Sequence, residues 1–157
     1  MTTPLTAPTL DEWPPTPAGY RRSEVSTVVG HGDDVWLAAI RDVMAWRVKT
    51  RSGFRVHPDA PATVGARPTI TILGIREPVE VVEVVTLPDR VGFAYHTLPG
   101  HPISGEEAFI VSRNMDAVVL TIRSLSVPAP GLPWRALWPA LRVAQLVTRR
   151  RYLRALR

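Results

Sequence analysis

One stretch of this chain brings together several side chains able to carry proton transfer or nucleophilic chemistry. None of the 157 residues is cysteine, so thiolate catalysis, thiolate metal sites and disulfides are excluded. Histidine, carboxylate, tyrosine and hydroxyl groups remain. Several of them gather in Tyr95-His96-Thr97-Leu98-Pro99-Gly100-His101-Pro102-Ile103-Ser104-Gly105-Glu106-Glu107, where two prolines and two glycines separate two β-rich runs. An imidazole titrates near neutrality and a carboxylate can hold its tautomer, so His101 with Glu106 or Glu107 is a candidate acid–base pair. Neighbours in a strand point to opposite faces, so Glu106 and Glu107 are not both expected to face an interior. The inward one needs a partner, for which His101, Tyr95 or an arginine of the terminal helix is available. The structural expectation stands beside this: a carboxylate and His101 fasten a long proline-containing loop. A metal site built from His96, His101 and a glutamate has no recognised zinc spacing, so neither a metal nor another cofactor is expected.

The elements that must position these groups are legible from periodicity. Val25, Thr27 and Val29 alternate with Glu24, Ser26 and Val28 and predict a strand over residues 20–30. Asp33 is placed to cap a following helix. In that helix Val35, Trp36, Ala39, Ile40, Val43, Met44 and Trp46 recur at helical spacing, with Arg41 and Asp42 on the other side. Strands are predicted at 54–56, 69–73, 78–87, 90–95, 107–113 and 117–125, the last two as a hairpin across Asn114-Met115-Asp116. Trp134, Leu137, Trp138, Leu141, Ala144, Gln145, Thr148 and Tyr152 share a face of a terminal helix. That helix is expected to begin near Pro139, after a shorter turn over 131–138. The prediction is an α+β domain: a curved antiparallel sheet of six or seven strands wrapped around a long C-terminal helix, with one shorter helix after the first strand. Residues 1–18 hold five prolines and no period. They are expected to be an extended arm, docked by Trp13, on a single domain of residues 19–157.

The formal charge of +5 is unevenly spread. Residues 132–157 carry seven arginines and no acid, whereas residues 1–131 carry 12 basic and 14 acidic side chains. The molecule is therefore a near-neutral body with a basic end. Eighteen of the 19 basic residues are arginine, and Lys49 is the single lysine. No run is long and apolar enough to span a membrane, and no secretion signal is recognisable, so the expected location is the cytoplasm. The glycines of Gly30-His31-Gly32 lack a phosphate-binding pattern, and Asp33 and Asp34 would repel an anion.

The central stretch also resembles a known signature. Ala94, Tyr95, Thr97 to Pro102, Gly105 to Glu107 and Phe109 match the pattern of the domain-of-unknown-function family nineteen-ninety, and His96 stands where that family more often has glycine. Gly30-His31-Gly32, Trp46, Gly65, Ser126-Val127-Pro128, Gln145 and the ending Arg151-Tyr152-Leu153-Arg154-Ala155-Leu156 are similar as well, so the resemblance covers about residues 19–157. It implies a fold similar to the helix-grip, lipid-transfer and polyketide-cyclase-like group, with a cavity between sheet and terminal helix. It implies no activity.

Three functions are compatible with these residues. The first is a binding domain for a small apolar or amphipathic ligand, with Tyr95, His101, Glu106, Glu107, Gln145, Tyr152 and Trp138 at or near the cavity. The second is an enzyme using His101 and Glu106 or Glu107 on a carbonyl or hydroxyl compound. The third is interaction of the arginine-rich end with an anionic surface or nucleic acid. Nucleic acid is disfavoured because the strands carry valine and isoleucine where stacking aromatics would be needed.

Overall fold

The computed structural model describes residues 3–157. The chain runs through β1 (Arg21–His31), α1 (Asp33–Met44), α2 (Arg47–Thr50), β2 (Arg55–His57), β3 (Thr69–Ile72), β4 (Ile75–Leu87), β5 (Arg90–Thr97), β6 (Ile103–Asn114), β7 (Ala117–Pro128), α3 (Leu132–Ala136) and α4 (Trp138–Tyr152). The seven strands form one antiparallel sheet in the order β1-β7-β6-β5-β4-β3-β2, with the short helix after the first strand and the long helix at the C-terminus. Strand formation extends further into the 96–106 stretch than the loop expected there. β5 continues to Thr97 and β6 begins at Ile103.

Two local expectations are corrected. Gly32, at φ 93°, is the N-cap of α1; its carbonyl accepts from the Trp36 N–H at 3.0 Å and its own N–H donates to the Asp116 carbonyl at 2.9 Å. Asp33 is therefore the first helical residue, and its carboxylate pairs with Arg113 instead of capping. Asp42 is buried, because Arg41 and Arg51 both engage it, the latter at 2.9 Å.

The core follows from strand alternation. Phe93 and Tyr95 of β5, Phe109 and Val111 of β6, and Val118, Leu120 and Ile122 of β7 point to one face, where Trp36, Ala39 and Val43 of α1 cover them. Trp46 lies beyond α1 with φ 60°, so it breaks the helix and stacks 4.4 Å from Phe93. Full burial of Phe93 or Phe109 contributes roughly 1.5–3 kcal/mol each.

The opposite face of the sheet is covered by the N-terminal arm. Arg123 of β7 is 1% exposed. Its guanidinium donates to the carbonyls of Thr6, Ala7 and Asp11 and pairs with Glu24 at 2.5 Å. Arg90 donates to the carbonyls of Pro8 and Leu10 and to Asp11. Trp13 is buried with Ala7 against Leu125, its indole N–H donates to the Leu5 carbonyl, and the Arg22 guanidinium stacks on its ring at 3.8 Å. The arm has no internal periodicity because its backbone groups are satisfied by side chains of the sheet.

Replacing Arg123 with Met leaves three arm carbonyls and the Glu24 carboxylate without their donor. The expected loss in urea unfolding is about 3–5 kcal/mol, the scale of two charge-assisted hydrogen bonds lost together. Cleavage by chymotrypsin within residues 5–13 should become faster than in the parent protein.

Candidate functional site

A pocket of about 210 Å³ lies between the core-facing side of the sheet and α4. α4 is held mainly at its C-terminal end. There Tyr152 is 2% exposed and packs edge-on to Phe109 at 5.3 Å, and the Arg51 guanidinium donates to the Ala155 carbonyl at 3.0 Å. Toward its start the helix stands off the sheet, so Leu141, Ala144, Gln145 and Thr148 face the pocket while Ala144 remains exposed. Leu73, at the tip between β3 and β4, lines the same pocket yet is 96% exposed, which marks the mouth. Ile72, Ile75 and Ile103 supply further apolar wall.

At the inner end sits a buried ammonium. Trp46 in its left-handed conformation redirects the chain into α2, and this aims Lys49, 4% exposed, back into the molecule. Its Nζ lies 3.3 Å from Glu107 Oε1 and 4.6, 5.5, 5.8 and 5.1 Å from the ring centres of Phe54, Tyr95, Phe109 and Tyr152. Such contacts stabilise a desolvated cation. Burial works against the charge, but Tyr152, Tyr95, Glu107 and Glu77 outweigh it and hold the pKa of Lys49 well above its ordinary value. Glu107 also accepts from the Tyr95 hydroxyl at 2.6 Å. Burial raises the pKa of Tyr152 as well as that of Tyr95, so both hydroxyls are protonated donors at neutral pH.

The adjacent carboxylates part as strand alternation requires. Glu107 faces inward. Glu106 runs along the pocket wall, but its carboxylate is on the arm side, accepting from the backbone N–H groups of Leu5 and Thr6 at 3.1 and 2.8 Å and from the Thr6 hydroxyl. Its carboxylate is an arm clamp, while the residue remains part of the pocket lining. Gly105 sets this geometry. At φ 154°, an added Cβ would lie 1.9 Å from the Leu125 carbonyl oxygen, so the residue before the glutamates has to be glycine.

His101 pairs with neither of the expected carboxylates. Its Nδ1 accepts from the Ile103 N–H at 3.0 Å, which puts the proton of the neutral ring on Nε2, 3.8 Å from Glu77 Oε2. Burial, reinforced by Lys49, pushes its pKa down to about 3. The ring is therefore neutral, its contact with Glu77 is no ion pair, and its single lone pair is occupied. It lines the pocket as a fastener of the turn. Trp138 is half-buried at the start of α4 and does not line this pocket. Gln145 and Tyr152 do line it.

Lys49 and Glu77 were not singled out by sequence patterning. Each enters the site from a different element, α2 and β4, and only the tertiary fold joins them to β5 and β6. Burial raises the pKa of Glu77, and Lys49 opposes that shift.

A seven-stranded antiparallel sheet with a short helix after its first strand, and a C-terminal helix over one face, is the helix-grip class. The chain belongs to the family described as Domain of unknown function (DUF1990), whose model matches residues 5–155 and so takes in most of the arm. A relative from Deinococcus radiodurans, a UPF0548 protein, is 28% identical over 119 residues, 66% of this chain and 60% of that protein; the chain thus spans less than two thirds of its length. Among solved structures, the hypothetical protein jhp0584 of Helicobacter pylori superposes with a TM-score of 0.64 at 14% identity, covering 88% of this chain and 85% of that one. Truncated norcoclaurine synthase from Thalictrum flavum gives 0.52 at 12% identity, over 90% and 96%. At these identities the likeness is one of fold.

Two predictions concern the buried charges. Lys49→Met leaves Glu107 as an uncompensated buried charge and should cost about 3–5 kcal/mol. Adding Glu107→Gln to it should recover a large part of that loss in a double-mutant cycle read by denaturant unfolding. The second concerns acid. Unfolded His101 titrates near ~6.5 whereas the folded residue does so at about 3, so the fold favours the neutral ring. Its contribution is complete above the unfolded value and is lost as pH falls from there toward about 3. His101→Asn, whose amide oxygen can still accept from Ile103, should lose less stability than the parent between neutral and acidic pH.

Proposed function

We propose that this domain binds a small amphipathic molecule in the pocket beneath α4, with the apolar body against Ile72, Ile75 and Leu141 and the polar end toward Glu77, Gln145 and Tyr152. The observation that carries this reading is a concave space with a mainly apolar surface, in which Ile72, Ile75, Ile103 and Leu141 share the lining with Glu77, Ser126, Gln145 and Tyr152, the usual anatomy of a small-molecule site. Its volume of about 210 Å³ suits a single ring or a short chain. The anchoring of α4 at Tyr152 gives the ligand a way in: the start of the helix can lift without disturbing the core.

The acid–base alternative centred on His101 is less well supported, since the ring is neutral and its lone pair is taken by Ile103. The anionic-surface alternative draws on Arg135, Arg142, Arg150 and Arg154, which are exposed. Arg151 and Arg157 instead donate to Ser52 and Thr27 of the body.

Toluene, small enough for the pocket, should bind with one molecule per chain in solution NMR, shifting resonances of Leu141 and Ala144. Ala144→Trp fills the space from an exposed helix position and should abolish those shifts while leaving the melting temperature close to that of the parent. Absence of any shift in the parent protein would refute the binding reading.

A further inference from the structure

The polar lining of the pocket is unevenly equipped. Three buried side-chain oxygens among the described residues have no hydrogen-bond partner, and two of them, Ser126 Oγ and Gln145 Oε1, belong to residues lining this pocket. Ser126 is only 3% exposed. Buried polar groups are nearly always paired, because an unpaired one keeps its desolvation cost, so two in one pocket point to a ligand that completes them. The Glu77 carboxylate lines the same space with its side chain 14% exposed. Its nearest donor, His101 Nε2, is at 3.8 Å, beyond hydrogen-bond range.

These groups have a common character. An ionised carboxylate only accepts, the amide oxygen of Gln145 accepts, and the Ser126 hydroxyl can do either. Of the two cations lining this space, the inner one is already held: Lys49 sits against Glu107 and four rings. Arg149, half-buried in the lining, makes no ion pair or side-chain hydrogen bond among the described residues. An acid entering this space would set a third carboxylate beside Glu77 and Glu107. An alcohol or amine would instead meet acceptors.

Resting on the binding reading above, we infer that the pocket discriminates by hydrogen-bond donation: its ligand carries a hydroxyl or amino head on a compact apolar body and is preferred over the corresponding carboxylate. Gln145 and Ser126 are the selecting residues, and Glu77 is the acceptor that repels the acid.

The test uses one chain length with three heads, titrating the full chain with 1-octanol, octylamine and octanoate at neutral pH by calorimetry. Octanol, octylamine or both should bind at least about tenfold more tightly than octanoate, the scale of one charge-assisted hydrogen bond. Gln145→Leu and Ser126→Ala should each weaken octanol by about three- to tenfold, the scale of one lost hydrogen bond, while leaving toluene unaffected. Octanoate binding as tightly as the donors, or octanol unaffected by both substitutions, would overturn the donor preference and leave the pocket reading standing. Failure of toluene and all three amphiphiles to bind would overturn both.

Discussion

The contact between Lys49 and Glu107 is the constraint from which the rest of the site follows. An ammonium taken out of water loses several kcal/mol of solvation, and only a carboxylate at close range with further satisfied partners offsets that loss. Glu107 at 3.3 Å, the Tyr95 hydroxyl on the same carboxylate oxygen, and the rings around Nζ meet that requirement together. Once Glu107 is committed inward, the period of two in β6 commits Glu106 outward. There it takes the only role open to a carboxylate on a covered face, accepting from the backbone of Leu5 and Thr6. One buried ion pair thus determines the direction of two adjacent side chains and, through the second, where the arm is tied.

The arm explains why the middle of the sheet is buried on both faces. Every residue of Arg90–Tyr95 is buried, because α1 covers Phe93 and Tyr95 from one side while the arm meets Arg90 from the other. An antiparallel sheet with one wet face would alternate apolar and polar residues. This one replaces the wet face with Arg90, Arg123 and Glu106, whose charges are spent on arm carbonyls and amides. The family match beginning at residue 5 fits an arm that is part of the fold.

Strands, hairpin and helices were legible in the sequence because each is encoded locally, by alternation, turn residues or helical spacing. The pocket face of α4 was legible for the same reason: Leu141, Ala144, Gln145 and Thr148 recur on it. How deep each residue sits was not legible, which is why Trp138, on the same side of the helical wheel, falls outside the pocket. Periodicity reports direction and is blind to the tilt of a helix whose anchor is at its far end. Nor could local patterning join Lys49, Glu77 and Glu107, since they come from three elements and meet only through long-range pairing. His101 was visible as a titratable group in the right stretch. Its chemistry was decided by a single backbone donor, Ile103, that composition does not reveal.

One signal for the site was nevertheless present in the composition. Lysine occurs once among 19 basic residues, and that one residue is the cation buried beside the pocket. Arginine at the same point would bring a flat guanidinium with five donors, each needing an acceptor, into a space bounded by four ring faces and one carboxylate. Ring faces attract positive charge but satisfy few directed donors, so a compact ammonium suits the place and a guanidinium does not. On the opposite face the requirement is reversed. Arg123 meets the carbonyls of Thr6, Ala7 and Asp11 and the Glu24 carboxylate in several directions at once, which the fork of a guanidinium can serve and a point charge serves less well. The exception to the arginine bias therefore marks the position where acceptors are scarce and aromatic faces are many, and that position is the floor of the pocket.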